Sequence, residues 1–314
     1  MYNTRLRKAV EVISKSRKIA VVSHERPDGD AVGSVLGLVN FLEKKGFEAF
    51  GVLKDEVPKI FRFIEGWEKI VNFLPDAEVY ILVDASDWNR TGFERPNKPI
   101  IRFDHHLTGE RYSEMDILLN GYPSATSVIL DFLRFWDENS IDYNVALPLY
   151  VGLLTDTGSF KNRDGTKSFE DALYLVKKGV NPRWVAEKVF REIPIETYRI
   201  LPLVLKTLTV LEEKIAYVIV REEFFSETGA NKEHTEEIAE YPLSVKGVMV
   251  AFKMEWDPRG YWKVGLRSKE GGPNVAEIAK KFGGGGHYFS AGCKIFGTEE
   301  EVLNALISEI KKYL

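Results

Sequence analysis

Acidic and imidazole side chains recur at four places where an apolar run stops. His24, Asp28 and Asp30 follow "KIAVV", Asp84 follows "VYILV", Asp104, His105 and His106 follow "PIIRF", and Asp156 follows "VGLLT". Each has a plain structural use when taken singly: Asp30 as the cap of a helix after a turn at Asp28 and Gly29, Asp84 and Asp156 as turn or cap residues. Together they form a donor set of carboxylate oxygens and imidazole nitrogens suited to two divalent cations. Oxygen ligands favour Mg²⁺ or Mn²⁺, and imidazoles shift the preference toward Mn²⁺ and its neighbours. Cations sharing one carboxylate would sit roughly 3.5 to 4 Å apart, a separation that activates water and stabilises the leaving oxygen at a phosphoryl centre. Hydrolysis of a phosphoester is therefore the chemistry to expect. Cys293 is the only cysteine, which excludes an internal disulfide and a cysteine zinc cage.

Such a set converges only if the chain brings its strand ends together. In the first half, "KIAVVSH", "FEAFGVL", "VYILVDA" and "PIIRFDHH" read as strands, and "DAVGSVLGLVNFLEKKG" reads as a helix between the first two. The alternation predicts an α/β fold, a mostly parallel doubly wound sheet with helices on both faces and ligands at the strands' carboxyl ends. Helical patterns continue through "NPRWVAEKVFREIPIETYRILPLVLKTL", where prolines and rising charge place a domain junction near residues 185–205. Beyond it, "KIAYVIV", "VKGVMVAFKMEW" and "YWKVGLRSK" read as strands, with "DPRG" as a hairpin turn, "NVAEIAKKF" as a helix and Thr298 as the cap of the last helix. This predicts a smaller α+β domain.

Charge and hydropathy bound the partners. The formal net charge of −4 offers no basic field for long duplex nucleic acid. With no long apolar run, a membrane partner is not expected, and the amphipathic N-terminal segment, which lacks a signal peptide's apolar core, gives the cytoplasm as the expected location.

The motifs also carry a resemblance. "HERPDGDAVGS", the isolated Asp84, "DHH" at 104–106 and "GLLTDTGSF" resemble, in order and spacing, the four motifs of the DHH phosphoesterases. "VGLRSK", "NVAEIAKKFGGGGH" and "SAGC" resemble the DHHA1 domain, with Ser290 standing where alanine is common. The resemblance implies a DHH catalytic, metal-binding domain over residues 1–190, a helical linker at 191–206 and a DHHA1 substrate-binding domain at 207–314, with the active site in the cleft between the domains. It implies that His24, Asp28 and Asp84 hold one cation and that Asp30, Asp84, His105 and Asp156 hold the other, with Asp84 as bridge. His106 resembles a catalytic residue that hydrogen-bonds the attacked phosphate and assists as an acid, and Asp104 orients the histidines. Arg267, Ser268, Gly284, Gly285, Gly286 and His287 would hold the terminal phosphate or base of the substrate, because glycine-rich backbone exposes amide donors.

Within that family the two-domain form is similar to the bacterial oligoribonuclease and phosphoadenosine phosphate phosphatase group, whose near relatives cleave cyclic di-AMP or its linear product pApA. The implied activity is a Mn²⁺-dependent phosphodiesterase, with Mg²⁺ or Co²⁺ as substitutes, that converts short RNA oligonucleotides or cyclic and linear dinucleotides to mononucleotides. The group also implies a homodimer. Alternatives are a phosphatase of 3′-phosphoadenosine 5′-phosphate, a RecJ-like single-strand exonuclease, an inorganic pyrophosphatase of the same superfamily and a non-catalytic nucleotide sensor.

Overall fold

The computed structural model describes residues 2–106, 109–161, 165–286 and 288–314. The chain divides into two compact units, Met1–Glu192 and Ile193–Leu314. No helix among the described residues is long and apolar enough to cross a membrane.

The first unit runs α1 (Tyr2–Ser14), β1 (Lys18–Val22), α2 (Gly29–Lys44), β2 (Glu48–Val52), β3 (Val79–Val83), β4 (Ile100–Asp104), β5 (Ile117–Leu118), α3 (Ala125–Asp137), α4 (Tyr143–Asp156), α5 (Thr166–Lys177) and α6 (Pro182–Phe190). Its five strands are all parallel, in the order β2-β1-β3-β4-β5. The chain leaves β1 for β2 on one side and returns to β3 on the other, so the winding reverses between β1 and β3. Just beyond the carboxyl ends of those two strands is where such sheets leave a crevice for ligands.

Pleating divides the strand residues between two cores. Ile19, Val21, Ile81, Val83, Ile101 and Phe103 join buried residues of α1 to α6, whereas Ala20, Val22, Tyr80, Leu82 and Ile100 join Trp88, with Leu74, Phe93 and Tyr112 packed against them. Helices therefore close one face, and the other is closed by connecting segments and a 3₁₀ turn at Trp88–Thr91. The expectation of helices on both faces yields here to local chemistry. The connection at 53–78 contains Pro58, Gly66 and Pro75, and that at 84–99 contains Gly92, Pro96 and Pro99; these interrupt any helical period.

Helix α2 approaches α4 through Gly29, Gly33 and Gly37, one per turn. A Cβ at Gly33 would clash with the Pro148 carbonyl oxygen, one at Gly37 would lie 2.6 Å from Leu149, and one at Gly29 would run into Thr155. Gly152 of α4 is equally confined, since a Cβ there would lie 2.9 Å from Asp30 Oδ1. This approach carries the N-terminus of α2, with Asp28 and Asp30, to the C-terminus of α4, where Asp156 sits.

The second unit contains α7 (Ile195–Leu205), β6 (Thr209–Leu211), β7 (Ile215–Val220), α8 (Glu222–Thr228), α9 (Glu240–Leu243), β8 (Val250–Asp257), β9 (Tyr261–Ser268), α10 (Val275–Lys281), β10 (Gly285–Gly286), β11 (Ser290–Ile295) and α11 (Glu299–Ile310). Its sheet has the order β10-β11-β9-β8-β7-β6, with β7 and β8 parallel and the other pairs antiparallel. The β8–β9 hairpin closes through the Gly260 amide, which donates to Asp257 O at 2.9 Å with Gly260 at φ +90°. Thr298 caps α11 in a reciprocal box with Glu301. Pro194 separates α6 from α7, and the expected linker at 191–206 contains α7, whose Ile200 and Val204 are buried with Val218 and Val220 of β7.

Replacing a helical glycine by alanine ordinarily stabilises by about 1 kcal/mol. At Gly33 the sign should reverse, because the neighbour is backbone and the two helices must part. Gly33→Ala should lower the urea midpoint; a variant as stable as wild type would show that α2 and α4 do not need this close approach.

Candidate metal centre

His24 lies two residues past β1, Asp84 directly follows β3, and His105 and His106 directly follow β4. Asp28 is the cap of α2: its Oδ1 accepts from the amides of Asp30 and Ala31, both at 3.0 Å. The capping role first assigned to Asp30 thus falls to Asp28, whose extended backbone (φ −94°, ψ −168°) turns its carboxylate onto the first-turn amides. Asp30 instead meets the N-terminus of α3. Its Oδ2 accepts from the Ala125 amide at 2.6 Å and its Oδ1 from the Thr126 amide at 3.0 Å, where the helix dipole favours a negative charge. Asp84 holds a left-handed backbone, φ +50°, which costs on the order of 1 kcal/mol or more for a residue with a Cβ. Its amide donates to Phe103 O at 3.2 Å, so β4 helps to keep it there.

Main-chain carbonyls set both imidazoles. His24 Nδ1 donates to Glu25 O at 2.8 Å and His105 Nδ1 to Tyr122 O at 3.2 Å. A carbonyl oxygen only accepts, so each Nδ1 carries a proton, and in the neutral ring each Nε2 presents a lone pair. The His24 Nε2 lies 3.5 Å from Asp84 Oδ2. The His105 Nε2 lies 3.7 Å from Asp84 Oδ1, 3.7 Å from Asp156 Oδ2 and 3.9 Å from Asp30 Oδ2. One carboxylate therefore turns its two oxygens to two histidines.

Donor atoms of His24, Asp28 and Asp84 lie within 4.8 Å of one another, as do those of Asp30, His105 and Asp156. A third grouping adds Asp104 and His106 to Asp84 and His105, but Asp104 has other commitments. Its Oδ1 accepts from His106 Nδ1 at 2.6 Å and from the His105 amide at 2.8 Å, and its Oδ2 accepts from Arg102. Arg102 is itself fully buried and donates to Ala85 O at 2.7 Å and Glu110 O at 2.9 Å.

Electrostatics separate the acids. Burial, then the charges of Asp156 and Asp28, raise the pKa of Asp30 well above the carboxylate range. Burial, then Asp30, Asp28, Asp104 and Asp156, do the same for Asp84. Burial would also raise Asp104, but His106 and Arg102 outweigh it and hold that group well below the usual range. Two buried carboxylates that disfavour each other's charge, faced by imidazole lone pairs, create a demand that divalent cations meet. The oxygen and imidazole donor set fits Mn²⁺ or Mg²⁺.

In the second unit, strand register gathers most of the expected substrate residues at one end of the sheet. Gly286 pairs with Ala291, Ser290 with Arg267, and Gly285 with Gly292. Arg267 Nε donates to Glu240 Oε1 at 2.8 Å, and the buried Ser268 hydroxyl lies 3.4 Å from Met249 O and 3.3 Å from Lys269 O. The expectation that the Gly284 amide serves a ligand needs correction: it donates to Ala279 O at 2.9 Å and closes α10. A Cβ at Gly284 would also strike Gly292 O, whereas one at Gly285 would meet nothing within 4 Å. His287 lies outside the described residues. Cys293 is buried, and burial pushes its thiol up to about 12, away from reactivity.

Two supports of the centre lie outside the motifs read from the sequence. Arg102 was visible as a charge inside the otherwise apolar "PIIRF", an anomaly in a buried parallel strand. The stretch "YPSAT", which supplies the Tyr122 carbonyl and the amides of Ala125 and Thr126, carried only the capping signal of Ser124.

Comparison with known proteins agrees with this architecture. Residues 18–153 match the description "DHH family, N-terminal domain", and residues 212–314 match "DHHA1 domain". The bifunctional oligoribonuclease and PAP phosphatase NrnA of Thermus thermophilus is 28% identical over 324 residues, covering 99% of this chain and 96% of the relative. The cyclic-di-AMP phosphodiesterase GdpP of Geobacillus thermodenitrificans is 26% identical over 95% of this chain but 48% of its own, so the chain spans about half of that relative. Among solved structures, an exopolyphosphatase-related protein from Bacteroides fragilis has a TM-score of 0.93 at 24% identity, covering 99% of this chain and 96% of that one. RecJ of Thermus thermophilus, solved in complex with Mn²⁺, has a TM-score of 0.55 at 15% identity, covering 99% of this chain and 54% of that one; both structures share the fold.

These matches, with the acids and imidazoles gathered at the sheet's switch point, mark a hydrolase acting on phosphoester bonds. Residues 18–153 form a DHH-family N-terminal domain and residues 212–314 a DHHA1 domain.

Removing Arg102 should expose how Asp104 is held. Arg102→Met leaves a buried carboxylate without its charge partner, and a loss of about 3–5 kcal/mol in unfolding free energy is expected. Chemical denaturation checks it, and a loss under about 1 kcal/mol would show that the pair is screened like a surface one.

Proposed function

We propose that this protein is a divalent-cation-dependent phosphodiesterase that hydrolyses short oligoribonucleotides or dinucleotides, pApA and cyclic di-AMP among them, to mononucleotides. The observation that carries this reading is the Asp84 carboxylate, turned with one oxygen to His24 and the other to His105. His24, Asp28 and Asp84 would hold one cation, and Asp30, Asp84, His105 and Asp156 the other, with Mn²⁺ favoured by the imidazoles. Bound cations supply Lewis-acid polarisation of the phosphoryl oxygen and a more acidic water.

The chain's own groups orient and protonate. Asp104 accepts from His106 at Nδ1, which leaves Nε2 to face the attacked phosphate; in the imidazolium form Nε2 would donate to it and pass its proton to the leaving oxygen, the ring reverting to the neutral Nδ1–H tautomer. His106 and, behind it, Arg102 hold Asp104 ionised, and the pairing keeps the imidazole in that orientation. In the second unit, Arg267, Gly285, Gly286 and His287 would hold the distal phosphate or base, and Ser268 would fix the strand end that carries Arg267. The Arg267 partner, Glu240, has a largely exposed side chain, and exposed pairs of this kind are worth about 1 kcal/mol or less. A substrate phosphate can therefore displace it. The names of the Thermus and Geobacillus relatives support this substrate class, and the first also supports dephosphorylation of 3′-phosphoadenosine 5′-phosphate at the same site.

Product analysis with pApA, cyclic di-AMP, short RNA and 3′-phosphoadenosine 5′-phosphate tests the reading. Chelation should abolish turnover, and Mn²⁺ should restore it better than Mg²⁺. Full activity after exhaustive metal removal would refute the cation-dependent mechanism. Two further outcomes divide the labour among residues. His105→Ala should lose bound metal, whereas His106→Ala should keep both cations and slow turnover; equal metal loss in both would overturn the distinction. Arg267→Ala should slow pApA hydrolysis by roughly 10- to 100-fold, the worth of one or two charge-assisted contacts. A small chromogenic phosphodiester has no distal group to hold and should change little. Equal losses on both substrates, with metal retained, would exclude a binding role for Arg267.

A further inference from the structure

The turn between β5 and α3 touches the metal centre twice. The Tyr122 carbonyl accepts from His105 Nδ1 at 3.2 Å, and the amides of Ala125 and Thr126 donate to Asp30 at 2.6 and 3.0 Å. Two side chains assigned above to the second cation are therefore oriented by one short stretch of backbone. Metal-ligating groups depend on such partners, and losing one typically costs 10- to 100-fold in affinity.

Side chains from two helices hold that stretch. The Tyr122 phenol donates to Asp131 Oδ2 on α3 at 2.7 Å. Lys167, in the first turn of α5, donates to Asp131 Oδ1 at 2.8 Å and to Asp171 Oδ1 at 2.6 Å. The Lys167 ammonium also stands 5.2 Å from the centre of the Tyr122 ring. The residue that orients His105 through its carbonyl is thus clamped through its side chain, and any backbone rotation that swings the phenol also swings the carbonyl. The other cluster has its own supports: His24 is set by Glu25 O and Asp28 by the amides of Asp30 and Ala31.

We propose that Tyr122, Asp131 and Lys167 are positioning residues that set the affinity of the cation site formed by Asp30, Asp84, His105 and Asp156 and act far less on the site with which it shares Asp84. The inference rests on the reading that these two clusters bind cations. A network serving only to fasten α5 to α3 would change stability without distinguishing the two sites.

Calorimetric titration of the chelated full-length protein with Mn²⁺ separates these cases without any activity measurement. Wild type should show two binding events. Tyr122→Phe and Lys167→Met should each weaken one event by about 10- to 100-fold and leave the other within about two-fold, and Lys167→Arg should restore most of the loss. An Asp30→Asn background assigns the affected event, since adding Tyr122→Phe there should not weaken the event that remains. Thermal midpoints in chelator report folding, and Lys167→Met, on a partly exposed side chain, carries the test if Tyr122→Phe does not fold. Two unchanged affinities with a lowered midpoint, or equal weakening of both events, would overturn the positioning role and leave the function standing. A wild type that binds no cation pair would overturn both.

Discussion

Asp30 and Asp84 are carboxylates taken out of water and placed beside further acids, so each makes the other harder to ionise. Left uncompensated, such burial and crowding favour the protonated acids. Part of the answer is structural: the first amides of α3 donate to the Asp30 carboxylate, while β4 fixes the Asp84 backbone and main-chain carbonyls orient the two imidazoles that face these acids. The glycine contacts of α2 belong to the same problem, because they let two acid-bearing helix ends come together. The crevice is thus an electrostatic arrangement that the sheet's reversal of winding makes room for.

The positions of these residues were legible because they depend on patterns that a sequence displays. Apolar runs of five residues ending in acids or histidines mark strand ends, and a parallel sheet gathers its strand ends on one side. Their division of roles was less legible. Whether Asp28 or Asp30 caps α2 is decided by the dihedral angles of one residue, and whether Asp104 serves a metal or an imidazole is decided by where Arg102 points. Both are matters of a few ångströms on which residue type is silent. The covering of the second sheet face followed from prolines and glycines that could have been weighed as helix breakers.

The glycine run shows how one composition can serve two ends. Gly284 is confined by β11 and its amide completes a helix, so it owes its identity to packing. Gly285 has open space where a side chain would be, and packing gives no reason for it to be glycine. Adjacent residues of one type thus divide between fold and surface, a division visible only once the register of β10 on β11 is known.

The parallel pairing of β7 with β8, inside a sheet that is otherwise antiparallel, bears on how the second unit assembles. The β8–β9 hairpin needs only a tight turn and can form within about 1–10 μs. β7 must wait until the intervening residues 221–249 have folded back, because Ile215 pairs with Val250, and such non-local closure carries its entropic cost before contacts reward it. The local hairpins β6–β7 and β8–β9 can each form before the non-local β7–β8 pairing joins them. Until β7 docks, one edge of β8 stands open to pairing with another chain.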